Sequence, residues 1–460
     1  MLNRRYGPDG LLRRVRRVRL FYLALAVGLL AGCASGMPVV ERPLSMARAA
    51  PADTPLATLA RDAGIAVGES GAYPLPQASF ALDARLALIA DARDSLDLQC
   101  YVIADDGIGH LILRGLRDAA RRGVRVRLLL DDLHTTGMDR LLLGLAAEPN
   151  VEVRLFNPFV SGRESTVARA LGLLVDLRRL NHRMHNKLFI ADGAVAIVGG
   201  RNLANEYFLR GTEGNFIDFD LLVAGAVLAP LNDGFDSYWN SAQAYPVQAI
   251  VAPGIGHPDG TADAAFRATF EVSTRPESTP APPPTSDTCG APPLSTALAA
   301  GRVKLVAAAG RAFADSPAKA DPTADPAADP TADSAASADT VSRRFPKLLG
   351  SARSDILLFS PYFIPGSDTI DALGRVREAG VRVRVVTNSL AVSDEPLVNI
   401  GYLHHRRQLL TMGVELYELS STRLKRDSAT ARCANCSAAR SGGCTPRWGF
   451  WTSARCWWVR

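Results

Sequence analysis

The sequence lacks a hydrophobic run long enough to cross a membrane. Its N-terminal apolar stretch extends only from Leu20 to Leu30, whereas a spanning helix needs about 20 apolar residues. A cluster of arginines precedes this stretch and small residues follow it. This order is typical of an export signal that is removed from the mature protein, so a transmembrane anchor is the weaker of the two interpretations.

The sequence also lacks a strong excess of charge of either sign. The formal net charge is +6 over 460 residues, with 21% charged and 47% hydrophobic residues, as in ordinary globular proteins. A weak positive charge would suit an anionic partner such as phospholipid or nucleic acid, although many basic proteins bind neither. The length allows two domains of ordinary size.

The residues that end the export signal indicate a lipid anchor. Leu30 to Cys33 has the sequence LAGC, which resembles the lipobox of bacterial lipoproteins, in which the cysteine becomes the lipidated first residue after cleavage. We therefore expect residues 1–33 to be a lipoprotein signal peptide, Cys33 to be lipidated, and residues 34–66 to form a tether. The protein would then be anchored to a membrane of the bacterial cell envelope.

The chain contains an internal duplication. Residues 92–133 and 352–390 each show an apolar strand, a loop, an amphipathic helix and a second strand that begins GVRVR, which predicts a βαβ unit in each half. The predicted strands are Leu96–Tyr101 and Ile356–Phe359, and the predicted helices are Ile108–Arg122 and Thr369–Ala379. Gly123 and Gly380 follow these helices, where a left-handed residue avoids a Cβ clash. Any two βαβ units share this order, but the repeated GVRVR favours duplication.

The two halves are separated by residues 273–342, which are rich in Pro, Ala, Ser, Thr and Asp and include ADPTADPAADPTADSAASAD. Such a composition cannot bury enough apolar surface to offset the entropy of the chain. We expect a linker or insertion, in which residues 302–313 could add a strand to the second half. The first domain would cover residues 67–272 and the second, incomplete domain residues 343–430.

Residues 185–200, HNKLFIADGAVAIVGG, predict a strand, a turn at Asp192 and Gly193, and a second strand. A strand points residues i and i+2 to the same side, so His185 and Lys187 can address one ligand while Asp192 caps the turn. An imidazole can attack phosphorus, and a lysine can neutralise the oxygens on which charge builds. This chemistry requires no metal and no cofactor.

Gly199, Gly200 and Asn202 follow the second strand. Small residues let the backbone approach a phosphate, and an amide can donate to its oxygens. Taken singly, a histidine in a strand, a lysine and an Asp-Gly turn are ordinary structural features. Together, His-x-Lys-x4-Asp followed by Gly-Gly-x-Asn resembles the signature of the phospholipase D superfamily.

The resemblance implies a two-step transfer. His185 would form a covalent phosphohistidine, Lys187 and Asn202 would hold the phosphate, Asp192 would support the site, and a second histidine would protonate the leaving alcohol. The acids that could orient His185 are Asp218, Asp220 and Glu206. His182 is the rival histidine, but it lacks the lysine two residues later and the aspartate seven residues later.

Further segments resemble the cardiolipin synthase C-like branch, over Ser79 to Leu419: GGRNLANEYF, SPYFIP, DSPAK at Asp315 to Lys319, and the stretch from Thr387 to Leu419. The branch implies two duplicated phospholipase D-like α-β-α sandwich domains related by a pseudo-twofold axis. It also implies that a phosphatidyl group passes from one phospholipid to the hydroxyl of another. The low-complexity insertion after Lys319 departs from this pattern.

The second half lacks its own copy of the motif. The superfamily needs one motif from each half, because the nucleophile and the acid must flank the same phosphorus. The chain ends instead in CANCSAARSGGCTPRWGFWTSARCWWVR, which holds four of its seven cysteines and four of its five tryptophans. Cys433, Cys436, Cys444 and Cys456 could bind zinc as thiolates, but the spacing of the second pair is poor.

A shifted reading frame is the other explanation. The neighbouring reading frame can be reconstructed by joining the last base of each codon to the first two bases of the next. For residues 443–459, a choice of codons that these amino acids permit gives LHAKVGFLDERAVLVG in that frame, and this sequence contains His-x-Lys-x4-Asp. We therefore predict a frameshift near Ala429 to Cys433, a truncated second domain, and an out-of-frame tail over residues 431–460. The tryptophans of this tail would be exposed to solvent or would pack against residues that are not complementary to them.

The leading hypothesis is a cardiolipin synthase-like phosphatidyltransferase with phospholipid substrates, inactive or impaired as translated. One alternative is a phosphodiesterase that hydrolyses a phospholipid or nucleic acid, but a lipid anchor argues against nucleic acid. The other is a non-catalytic envelope lipoprotein that only binds phosphate.

Overall fold

The computed structural model describes residues 37–419 and 456–459, except 161, 164, 176, 181, 213, 252–260, 277–280, 289, 321–340, 392, 394 and 395. Over these residues, no helix combines the length and the apolar composition that a membrane span requires. The predicted signal peptide with Cys33 lies outside the described residues.

Strands and helices alternate along the described chain, as expected for a mixed α/β fold. The strands are β1 Ser70–Leu75, β2 Ser95–Cys100, β3 Arg125–Asp131, β4 Val151–Phe156, β5 Leu188–Ala191, β6 Val195–Gly199, β7 Asp220–Gly225, β8 Ala244–Pro246, β9 Val306–Ala308, β10 Asp355–Phe359, β11 Arg382–Asn388, β12 Glu415–Leu419 and β13 Cys456–Val459. The helices are α1 Pro55–Asp62, α2 Ala78–Asp91, α3 Gly107–Arg121, α4 Asp139–Ala146, α5 Thr166–Val175, α6 Leu177–Leu180, α7 Leu228–Trp239, α8 Val247–Val251, α9 Thr261–Ser273, α10 Leu294–Ala299, α11 Val341–Gly350, α12 Ser367–Glu378 and α13 Pro396–Thr411.

The first half is a sheet of nine strands in the order β8-β4-β3-β2-β5-β6-β7-β1-β9. Both of its faces are buried, because successive residues of β3, Leu128 and Leu129, belong to different apolar clusters. A buried sheet with helices on each face is the expected α-β-α sandwich.

The predicted βαβ unit is present in each half. Strand β2 pairs in parallel with β3 after α3, and β10 pairs in parallel with β11 after α12. Gly123 and Gly380 have φ values of +97° and +84°, so both helices end in the left-handed residue that the sequence predicted. The pseudo-twofold axis between the halves stays a prediction.

The predicted hairpin is also present. Strands β5 and β6 pair antiparallel, with Leu188 opposite Val198. Asp192 and Gly193 have φ values of +51° and +59°, which matches the right-handed twist of a two-residue hairpin. Because β5 pairs with β2 and β6 with β7, the hairpin lies in the middle of the sheet.

The segment before α1 is not a free tether. Buried Arg127 donates to the carbonyl of Ser45 at 2.7 Å, and Arg154 donates to the carbonyl of Pro43 at 2.9 Å. The amide of Ala47 donates to Asp236 at 2.7 Å. We call Arg42 to Arg48 the strap. The expected tether over residues 34–66 is therefore corrected, because this part of it packs against the first domain.

The predicted strand within residues 302–313 exists, but it joins the first half. Val306 to Ala308 pairs antiparallel with β1, at the edge of the nine-stranded sheet. The expectation that it would extend the second half was wrong, because β1 offers it an unpaired edge. The Asp-rich repeat after it lies outside the described residues.

The second sheet has the order β12-β11-β10-β13 and a separate apolar core that includes Leu358, Leu373 and Val383. Its last strand comes from the C-terminal tail and pairs antiparallel with β10, with Leu358 opposite Trp457. In the first sheet, β5 has the same place beside β2. The tail thus fills, beside β10, the position that β5 has beside β2 in the first half.

Candidate active site

His185 and Lys187 lie just before β5, beside the ends of β2 and β3. They line a cleft of about 770 Å³ together with residues of the second half. The walls from the second half include Phe345, Ile364 and Thr369. The site therefore lies where the two halves meet, as the two-motif chemistry requires.

The nucleophile candidate and the cation are in contact. The Lys187 Nζ atom lies 3.3 Å from Nδ1 and 3.4 Å from Nε2 of His185. Tyr101 packs against both, with its ring 4.5 Å from the His185 ring and 5.1 Å from Nζ. The side chains thus converge on one point in the cleft, as the spacing predicted.

Burial keeps His185 neutral. It lowers the pKa of His185 to about 3, and the nearby Lys187 and His134 lower it further in the same direction. Burial also lowers the pKa of Lys187 to about 8, against the raising effect of Asp218. At neutral pH the pair is therefore a neutral imidazole beside a lysine that is mostly cationic.

Asp131, which the sequence analysis did not single out, fixes the segment just before His185. This buried carboxylate at the end of β3 accepts from the Met184 amide and from Arg183 Nε, each at 2.8 Å. His185 follows directly after these two residues. A carboxylate at the end of a buried strand was a signal available in the sequence.

His134 and Tyr101 were also missed. The His134 ring lies 4.8 Å from the Tyr101 ring in an edge-to-face arrangement, so His134, Tyr101 and His185 form a continuous aromatic group. Tyr101 directly follows β2, and His134 ends the short 3₁₀ turn that follows β3. Their position after strand ends was the only signal.

Asp218 and Asp220, two of the three candidate orienting acids, have different surroundings in the structure. Asp220 is fully buried and pairs with Arg85 at 3.0 Å and Arg201 at 3.1 Å, so it is a structural ion pair. Burial raises the pKa of Asp218 to about 6, and the nearby Asp220 adds to this. Among the described residues no hydrogen bond joins His185 to either carboxylate, and the orientation of His185 by one of them stays a prediction. Asp218 acts on Lys187 through charge.

Gly199 and Gly200 make room for these acids. A Cβ at Gly199 would lie 1.8 Å from an Asp220 oxygen, and a Cβ at Gly200 would lie 2.1 Å from an Asp218 oxygen. We expected these glycines to admit a phosphate. The structure gives another reason, because the space beside them is already filled by carboxylates.

Asn202 and Glu206 lie apart from the cleft lining. Asn202 is buried, and its Oδ1 has no hydrogen-bond partner in the described part of the chain. Glu206 lies in a 3₁₀ turn, Asn205–Phe208, and its carbonyl accepts from the Phe216 amide at 2.9 Å. The structure thus does not bring Glu206 to His185.

Asp192 lies at the opposite end of β5 from His185. Its carboxylate accepts from the amides of Arg93, Asp94 and Ser95 at 2.8 to 3.1 Å. These bonds tie the hairpin turn to the start of β2. Asp192 therefore stabilises the hairpin and has no contact with the reacting side chains among the described residues.

No group of three or more His, Cys, Asp or Glu side chains suited to a metal ion is present in the described part of the chain. Of the four tail cysteines considered for zinc, Cys433, Cys436 and Cys444 lie outside it, and Cys456 is described only by its backbone pairing.

Comparison with known proteins identifies the family. The family model described as "Cardiolipin synthase, PLD-like domain" matches residues 86–239 and 346–429. Cardiolipin synthase C of Escherichia coli (strain K12) is 36% identical over 363 residues, which is 77% of this chain and 70% of that protein. Cardiolipin synthase 1 of Staphylococcus aureus (strain MRSA252) is 26% identical over 330 residues, 72% of this chain and 52% of that protein. Among solved structures, the phosphatidylserine synthase of Haemophilus influenzae Rd KW20 aligns with a TM-score of 0.47 and 12% identity, covering 76% of this chain and 72% of that one. The resemblance drawn from the motif is confirmed, and the chain belongs to the phospholipase D-like cardiolipin synthase family.

Proposed function

We propose that this chain derives from a cardiolipin synthase-type phosphatidyltransferase and that His185 is its nucleophile. The observation that carries the proposal is the contact between His185 and Lys187 in a cleft that both halves line. A buried neutral imidazole is nucleophilic, and a lysine beside it can stabilise the charge that builds on phosphate oxygens.

The first step forms one bond and breaks one. A ring nitrogen of His185 attacks the phosphorus of a phospholipid, and the phosphorus–oxygen bond to the first head-group alcohol breaks. Lys187 stabilises the negative charge on the non-bridging oxygens. In the second step the hydroxyl of another phospholipid attacks the phosphohistidine, and the phosphorus–nitrogen bond to His185 breaks. The hydroxyl proton passes to the group that protonated the first alcohol, now acting as a base.

The first step also needs an acid, because an alkoxide is a poor leaving group without a proton. The second motif would supply that acid, and this chain has no second His-x-Lys-x4-Asp. The family match ends at residue 429, where the frame change is proposed, which supports an out-of-frame tail. We therefore propose that this chain forms the phosphohistidine slowly and does not complete the transfer.

The proposed location is a membrane of the bacterial envelope, with Cys33 as the lipid anchor. The support is the sequence pattern of arginines, short apolar stretch and LAGC. An anchor of this kind would keep the cleft near phospholipid substrates, and this favours lipid over nucleic acid.

A substrate that needs no acid tests the nucleophile in the chain as it exists. Phosphatidyl-p-nitrophenol releases p-nitrophenolate, which leaves without a proton. We expect one equivalent of p-nitrophenolate per chain in a single burst, and mass spectrometry should find the phosphatidyl group on His185. His185→Ala should abolish the burst, because the nucleophile is removed.

His182→Ala is the matched control, since His182 is the rival histidine three residues earlier. It should keep the burst. A full burst from His185→Ala, or an adduct on His182, would show that the nucleophile is assigned wrongly. Continuous release from the unmodified chain would instead favour a phosphodiesterase that uses water.

A further inference from the structure

The cleft has a second wall that the proposed chemistry does not use. Lys319 and the first residues of α12, Ser367 to Thr369, line the same cleft as His185 and Lys187. Lys319 is the last residue of the segment DSPAK, and Ser367 to Thr369 come shortly after the segment SPYFIP. The first step of the reaction gives these residues no role.

Helix α12 begins without a side-chain cap. Its N-cap is Gly366, whereas the duplicate helix α3 is capped by Asp106, which accepts from the amides of Ile108 and Gly109 at 3.0 and 2.9 Å. First-turn amides have no partner within a helix. In the described part of the chain, the amides of 367–369 make no hydrogen bond, so they are free to donate to an anion, which the helix dipole also favours.

Thr369 gives an independent indication of a ligand. Its side chain is only 7% exposed, and it lines the cleft. Its hydroxyl makes no hydrogen bond to any described residue. The hydroxyl is not among the fully buried polar atoms that lack a partner, so it is open to the cleft and can donate a hydrogen bond to a ligand there.

Lys319 adds a positive charge to this wall. Its Nζ pairs with Asp315 at 2.6 Å, and its side chain is 46% exposed. Asp315 is itself fixed, because its carboxylate accepts from the Val341 amide at 2.9 Å and its carbonyl accepts from the Tyr238 hydroxyl at 3.0 Å. Lys319 is thus held at the cleft by a rigid partner. Asp368 is the opposing charge, exposed in the first turn of α12.

We propose that the free amides of α12, the Thr369 hydroxyl and Lys319 form a second phosphate-binding subsite in the cleft. Its ligand is the phosphate group of an anionic phospholipid that serves as the acceptor. The assignment as acceptor rests on the proposed function, whereas phosphate binding itself does not. A cleft of about 770 Å³ is within the usual size range for such a ligand.

The test uses the full chain and calorimetric titration with dihexanoylphosphatidylglycerol below its micellar concentration, and separately with inorganic phosphate. Lys187→Ala removes the first subsite, so the remaining binding reports the second. On this background we expect Thr369→Val and Lys319→Gln each to weaken binding about tenfold. Asp368→Asn should strengthen binding, because it removes a negative charge near the ligand.

The matched controls are Thr411→Val and Lys347→Gln, which change exposed residues of α13 and α11 outside the cleft lining. Both should bind like the Lys187→Ala parent, and melting temperatures show that each variant is folded. Unchanged binding by Thr369→Val and Lys319→Gln would overturn the subsite. Binding of phosphate without binding of the lipid would overturn its assignment to an acceptor lipid. If the unmodified chain gave no burst of p-nitrophenolate while the lipid still bound at the second subsite, only the proposed function would be overturned.

Discussion

The lowered pKa of His185 has a direct consequence for the pH dependence of the burst. At low substrate concentration the rate follows the pKa values of the free protein. His185 has a pKa of about 3 and Lys187 a pKa of about 8. Both are in the active protonation state between these values, so we expect a flat rate from about pH 5 to pH 7 and a fall above about pH 8 as Lys187 loses its proton.

The measurement is the burst rate of phosphatidyl-p-nitrophenol across this pH range. An ordinary histidine would halve the rate near pH 6.5, so such a midpoint would contradict the proposed burial of His185. Lys187→Arg is the control for the alkaline side, since arginine keeps its charge there. The Lys187→Arg variant should have a lower burst rate, but that rate should no longer fall above pH 8.

At the scale of single residues, the sequence identified His185 and Lys187, which the structure brings into contact, and missed the residues packed around them. His185 and Lys187 are two residues apart, so one motif identifies both. Asp131 and His134 are more than 50 residues away in the chain, and only the parallel order of the sheet brings them to the site. The role of Gly200 depends on Asp218, which reaches it through the pairing of β6 with β7.

The predicted elements were those with a clear hydrophobic period. The βαβ units and the catalytic hairpin follow from patterns within single segments, and both are confirmed. The partner of β9 was predicted wrongly, because a short apolar segment does not specify which sheet edge it joins. The strap was missed for a related reason, since its bonds use backbone groups that every sequence has.

Asp236 links the strap to the centre of the first domain. It pairs with Arg127 at 2.9 Å and accepts from the Ala47 amide at 2.7 Å. Asp236→Ala would leave part of the buried charge of Arg127 without compensation, so we expect a loss of about 3 kcal/mol in the free energy of unfolding. Urea unfolding followed by circular dichroism measures it, and trypsin should cleave faster after the released Arg48, which is followed by Ala49.

Asp233→Ala is the control, because Asp233 is exposed on the same helix three residues earlier. Its effect should stay within about 0.5 kcal/mol. If Asp236→Ala were equally mild, the strap would contribute little to the fold and would be a tether after all.

On the scale of the whole molecule, the two sheets share one arrangement around their first parallel strand. Strand β2 lies between β3 and β5, which follows His185 and Lys187, and β10 lies between β11 and the tail strand β13. The position beside β10 is therefore where a second catalytic strand would pair. The tail pairs there through its backbone, which any sequence can do, but its residues 456–459 carry no histidine or lysine.

Restoring the frame near Ala429 should therefore restore turnover. The restored segment LHAKVGFLDERAVLVG would supply the strand beside β10 together with the missing histidine, and the leaving alcohol would then receive its proton. We expect the restored protein to convert phosphatidylglycerol vesicles into cardiolipin over many turnovers, measured by lipid mass spectrometry, while this chain forms none. His185→Ala in the restored protein should remove the product, which ties it to the first-half nucleophile. Equal cardiolipin from the unrestored chain would show that the lost motif is not needed for turnover and would overturn the prediction.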